Sequence, residues 1–140
     1  MNRLTIALAL GLAASAAAAG EENPGADAYS VDTSRSTGAV AVGQKGKLSL
    51  AIVPKAPWHV DPRAPLTIRL EAPAGLALAK AQLGRKDALE PKAEVPRFEV
   101  PFTASAPGRQ EARAHLKFFL CRDTICAQQT RTVAVAVTVK

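Results

Sequence analysis

Cys121 and Cys126 are the only cysteines in this 140-residue chain, and four residues separate them in Cys121-Arg122-Asp123-Thr124-Ile125-Cys126. One alternating apolar stretch ends at Leu120 and another begins near Thr130. That places the pair at the closing end of a β-hairpin, where the two sulfurs can face each other across the loop. In an exported protein a pair so placed is able to bridge. The bridge could be a staple or a reactive bond, and chain entropy bears on the choice. Closing a six-residue loop is worth only about 2 kcal/mol, against about 3 for fifteen residues and nearly 5 for a hundred. A hairpin that already pairs its strands leaves even less to restrain, and an immunoglobulin-type sandwich gains more from a bridge between its sheets. The balance tips towards a labile bond without excluding the staple.

Charge around the pair points both ways. Arg122 adjoins Cys121, and Lys117 and Arg131 lie on the flanking stretches, where positive charge favours the attacking thiolate. Asp123 opposes them. Metal binding by the dithiol is the third option, but no second Cys or His pair stands at zinc-finger spacing, and His59 and His115 are distant in sequence. His115 falls on the outward side of its stretch and reads as a solvated residue. No metal set and no cofactor motif is assigned. On spacing alone exchange, staple and metal site all stand.

The elements that must hold this pair read as strands. Lys47–Val53 puts Leu48, Leu50 and Ile52 on one side, and Leu66–Glu71 does the same with Leu66, Ile68 and Leu70. Arg97–Ala104 alternates Phe98, Val100, Phe102 and Ala104 against Glu99, Pro101 and Thr103. Ala112–Leu120 and Thr132–Lys140 complete the pattern, with Val133, Val135, Val137 and Val139 inward in the last. Period two marks half-buried strands. Pro54–Pro57, Asp61-Pro62, Ala72-Pro73-Ala74-Gly75 and Pro107-Gly108 separate them as turns, and Gly108 suits a positive φ. Pro101 inside a strand suggests an edge or a bulge. Only Ala77–Leu89 could hold a helical turn, weakened by Gly84. The expected fold is all-β: an immunoglobulin-like two-sheet β-sandwich of about seven to eight strands.

The N-terminus sets the expected compartment. Arg3, the apolar run Leu4–Leu12 and the small residues Ala13–Ala19 have the order of a cleavable signal peptide, and the run is shorter than the roughly 20 residues a bilayer span needs. The boundaries expected are a signal peptide over 1–19, a flexible leader over 20–29 and one domain over 30–140. The mature protein is expected to be exported, without stable membrane insertion. Losing Arg3 lowers the net charge from +6 to +5. With no Lys/Arg block and only one Trp and one Tyr, nothing interleaves aromatics with a basic groove, so nucleic acid is not an expected partner.

The stretch Phe118-Phe119-Leu120-Cys121-Arg122-Asp123-Thr124-Ile125-Cys126 resembles the cysteine hairpin of the N-terminal periplasmic domain of DsbD-type thiol:disulfide interchange proteins. Upstream, Trp58-His59-Val60-Asp61-Pro62, a strand, and Ala72-Pro73-Ala74-Gly75-Leu76 look like that family's tryptophan segment, strand and turn. Val100-Pro101-Phe102 followed by Pro107-Gly108 fits the stretch before the cysteine strand, and the likeness runs from Lys47 to Val139. It implies an immunoglobulin-like domain whose Cys121 and Cys126 form a redox pair. Cys126 would make transient mixed disulfides with thioredoxin-like partners, and Cys121 would resolve them. It also implies that Ala79–Glu90 is a cap loop over the cysteines. Two departures stand out. Ala127-Gln128-Gln129 replaces the aromatic and prolines that often follow the second cysteine, and Ala79–Glu90 carries no aromatic. The likeness covers this domain alone, so another protein is expected to supply electrons.

Overall fold

The computed structural model describes residues 23–140, and the expected signal peptide lies outside the described residues. Ten strands and one short 3-10 turn make up the described chain. They are β1 (Tyr29–Asp32), β2 (Ala39–Val40), β3 (Lys45–Pro54), β4 (His59–Val60), β5 (Thr67–Glu71), β6 (Leu76–Leu78), β7 (Gln82–Gly84), the turn Arg85–Asp87, β8 (Arg97–Ala104), β9 (Gly108–Arg122) and β10 (Ile125–Val139). The first sheet runs β1-β3-β8-β6. The second runs β2-β10-β9-β5-β7, with β4 added beside β9. This is an immunoglobulin-like two-sheet sandwich. It has ten strands where seven to eight were expected, and five of them, β1, β2, β4, β6 and β7, are short and carry too few alternations to be placed from sequence.

The core forms where the alternating apolar faces meet. Leu48, Leu50 and Ile52 of β3 and Phe98, Val100 and Phe102 of β8 oppose Ala112, Ala114, Leu116, Phe118 and Leu120 of β9, all buried. The Tyr29 ring meets Phe118 edge-to-face with centroids 4.9 Å apart, an arrangement that the ring quadrupole favours. In β3 the intervening Ser49 and Ala51 are buried as well. Ser49 lies under the segment before β2, where its N–H and C=O both bond the Ser36 hydroxyl.

Pro101 is not on an edge strand, because β8 lies between β3 and β6. Its carbonyl accepts from Ala79 N–H, just beyond the last residue of β6. The missing proline N–H faces the same side, so this rung at the end of the β6 ladder carries one bond instead of the two a hydrogen-bonded pair exchanges. Gly108 has φ +108°, as the turn before β9 requires. The helical turn allowed within Ala77–Leu89 is reduced to Arg85–Asp87. Residues 23–28, read from sequence as part of a leader, are tied to the body. Gln129 Nε2 donates to the Pro24 carbonyl at 2.8 Å, Asn23 Nδ2 to the Gln128 carbonyl at 3.1 Å, and an Arg131 amino group to the Ala26 carbonyl at 3.2 Å.

Candidate redox site

Strands β9 and β10 pair in register over their whole length, with Cys121 directly opposite Cys126 and Arg122 opposite Ile125. Asp123 and Thr124 make the two-residue turn, and Asp123 takes φ +49°, a region aspartate tolerates better than most residues. In a two-residue hairpin the closing pair is hydrogen-bonded and the next is not. Cys121 and Cys126 occupy that next position, with Cα atoms 4.1 Å apart and side chains on the same face, and they form a disulfide.

The two sulfurs meet different surroundings, and strand order is the reason. β9 is interior at this end. β10 flanks it on one side and β4 on the other, with His59 opposite Cys121 and Val60 opposite Leu120. The chain after β4 closes over Cys121, which is only 3% exposed. β10 has no strand on its outer side here, since β2 reaches it only at Thr138 and Val139. Cys126 is therefore exposed. Alternation puts both cysteines on the outer face of the sheet, opposite to Leu120 and Phe118.

Asp61, read from sequence as a turn residue and as part of the tryptophan segment, brings a carboxylate to the bridge, beside His59 paired opposite Cys121. Its Oδ1 accepts from Arg63 N–H at 2.9 Å, which turns Oδ2 towards Cys121 Sγ, 3.9 Å away. The Asp61 carbonyl accepts from Arg85 at 2.6 Å, and burial of that guanidinium pulls its pKa down. The cations flagged by sequence do other work. Arg122 stacks on Trp58, 5.7 Å from the ring centroid, and its Nε lies 3.4 Å from the Asp123 carboxylate. Arg131 projects to the other side of the sheet, 4.3 Å over the Tyr29 ring. Lys117 sits four residues along β9, roughly 13 Å from Cys121 at the rise of a strand. A carboxylate, not a cation, faces the sulfurs. No local sequence signal announced this, because Asp61 reaches Cys121 only through the pairing of β4 with β9.

Within Ala79–Glu90, expected as a cap loop, the chain forms β7 and the turn Arg85–Asp87. β7 pairs with β5 at the edge of the sheet, and Arg85 links the segment to the Asp61 and Ala64 carbonyls. The residues that the stretch from Trp58 to Asp61 brings to Cys121 are His59, its partner across the β4–β9 pairing, and Asp61, whose Oδ2 reaches its sulfur. His115 stays on the outer face but is not simply solvated: Nδ1 lies 2.9 Å from Thr132 Oγ1 and Nε2 3.3 Å from Glu71 Oε2.

Fold and site together define a disulfide-bonded immunoglobulin-like β-sandwich. Protein-family models and curated proteins give no match to the chain. Solved structures give distant ones. A conjugative transposon lipoprotein from Bacteroides eggerthii shares 13% identity at a TM-score of 0.45, over 78% of this chain and 95% of its own. A lipoprotein from Bacteroides thetaiotaomicron shares 13% at 0.46, over 79% and 78%. AggA, the major subunit of aggregative adherence fimbriae type I from Escherichia coli, shares 9% at 0.40, over 80% and 94%. The sandwich assignment rests on this chain's own two sheets. Among the described residues no helix is long and apolar enough to cross a membrane.

Proposed function

We propose that this domain exchanges disulfides with partner thiol proteins through Cys126, as in the N-terminal domain of DsbD-type proteins. The observation that carries the reading is the asymmetry of the bridge, one sulfur exposed and one covered. A partner thiolate can approach Cys126 Sγ. Its attack forms a partner–Cys126 disulfide and expels Cys121 as the leaving sulfur, with the electron pair of the old bond. The Asp61 carboxylate, 3.9 Å away, disfavours a second negative charge there, so the leaving Cys121 takes a proton from water, balancing the one the partner thiol released to become a thiolate. A second partner thiolate then attacks the partner's sulfur and releases Cys126. The net change is partner dithiol to partner disulfide and this bridge to dithiol, and the same steps run in reverse. Exposed Ile125 at the hairpin tip and half-buried Phe119 beside the bridge offer a docking protein apolar contact. The signal-peptide pattern supports a periplasmic or otherwise exported setting, and the partners it fits are thioredoxin-like.

Trapping tests this directly. With Cys121→Ala expressed in the exporting cell, adducts through Cys126 are expected on non-reducing gels, and Cys126→Ala should give none. Absence of adducts from both variants would sink the exchange reading.

A second reading has its own observation. Cys121 is buried within a fully formed ladder, so the bond also fits a clasp on the hairpin of a non-catalytic binding or structural module. A reduction potential below about −300 mV favours the clasp, and one between about −270 and −120 mV favours exchange.

A further inference from the structure

We infer that the reduced form of this site is a zinc-binding centre built from Asp61, Cys121 and Cys126. The ligand atoms of these three residues all lie within 4.8 Å of one another. Zinc–sulfur bonds of about 2.3 Å and zinc–oxygen bonds of about 2.0 Å place neighbouring tetrahedral ligands roughly 3.5 to 3.8 Å apart. The 3.9 Å from Asp61 Oδ2 to Cys121 Sγ is already close to that edge. Breaking the sulfur–sulfur bond lets Cys126 Sγ relax outward by the remaining amount, and its strand has the freedom of an edge at this end.

Asp61 is held for the task by contacts that do not use Oδ2. Oδ1 takes the Arg63 N–H, and the backbone carbonyl takes Arg85. Two thiolates already neutralise a divalent ion, and Asp61 adds a third, oxygen ligand to a set that suits borderline-soft zinc. The exposed side at Cys126 leaves a fourth position to solvent. Metal binding releases thiol protons and needs no oxidant, so the step is a proton-for-zinc exchange on the dithiol. It excludes the disulfide state, because the same two sulfurs cannot do both. Zinc therefore holds the couple in its reduced form.

This inference rests on the bridge being openable, which the exchange reading also needs, and excess phosphine reductant separates the two. Protein reduced in this way and freed of reductant should take up one zinc ion per chain in competition with a chromophoric chelator. Cobalt in its place should show thiolate-to-cobalt charge-transfer absorption. The oxidised protein should bind neither. Asp61→Asn should lower affinity about tenfold or more while its disulfide still forms on oxidation, showing that the variant folds. Unchanged affinity in Asp61→Asn, or no uptake by the reduced wild type, overturns the proposal. Neither result bears on partner trapping, and failed trapping leaves this titration intact.

Discussion

At the hairpin tip, a single sulfur–sulfur bond has a buried end beside a carboxylate and an open end at a strand edge. Asp61 Oδ2 is the carboxylate oxygen at the buried end, 3.9 Å from Cys121 Sγ. Removing its charge removes the penalty on a Cys121 thiolate. In Asp61→Asn, alkylation of the reduced Cys121 should therefore set in at lower pH than in the wild type, while Cys126 changes less. Mass spectrometry after timed alkylation across a pH series reads the two sites separately. Equal onset in wild type and variant would mean that Asp61 does not govern the leaving sulfur. Cys121 and Cys126 were legible in the sequence because both sit within one hairpin. Asp61 was not, since sixty residues of chain separate it from the sulfur it faces.

At the scale of elements, two packing details carry consequences. Gly46 of β3 lies against the Phe102 ring, where an added Cβ would come within 2.5 Å of Phe102 Cζ. Phe102 is buried in the core and cannot swing away, so Gly46→Ala should cost about 1–3 kcal/mol by overpacking. Denaturant unfolding measures it, and a neutral result would show that β3 shifts freely. The β7 segment hangs on Asp87, whose Oδ2 accepts the Gly84 N–H at 2.7 Å and whose Oδ1 meets Lys80. The Gly84 N–H first, and then Lys80, holds this carboxyl below its ordinary 3.8. A carboxyl lowered by folding stabilises above its unfolded pKa, and that contribution vanishes as pH falls through the folded value. Glu71, held down by His115 and Arg69, and Asp32, held down by Ser34, act in the same direction. The melting temperature should therefore fall below about pH 4. Asp87→Asn should melt lower than wild type at about pH 6 and converge with it in acid. Parallel curves would remove Asp87 from the account. The five long apolar alternations were readable as strands, while β4 and β7 were not, because two or three residues hold no period.

For the molecule as a whole, stability comes from two sheets closing on one apolar core, and the disulfide sits outside that core on the sheet's outer face. The double variant Cys121→Ala/Cys126→Ala should lose no more than about 2 kcal/mol and keep its β-sheet circular dichroism. A loss well beyond that, or unfolding at room temperature, would mark the bond as structural and turn the balance to the clasp. The sequence by itself determined that the domain is a two-layer β-sandwich, which face of the long strands other than β3 is buried, and that both cysteines lie at the end of a hairpin. Those are local properties, written in a period of two residues and in turns of a few. Only the tertiary structure decided which sulfur is covered, what covers it, and that a carboxylate stands beside it. Each depends on β4 pairing with β9, a long-range choice of strand neighbour and register made by the closing of the whole core rather than by any stretch of the chain.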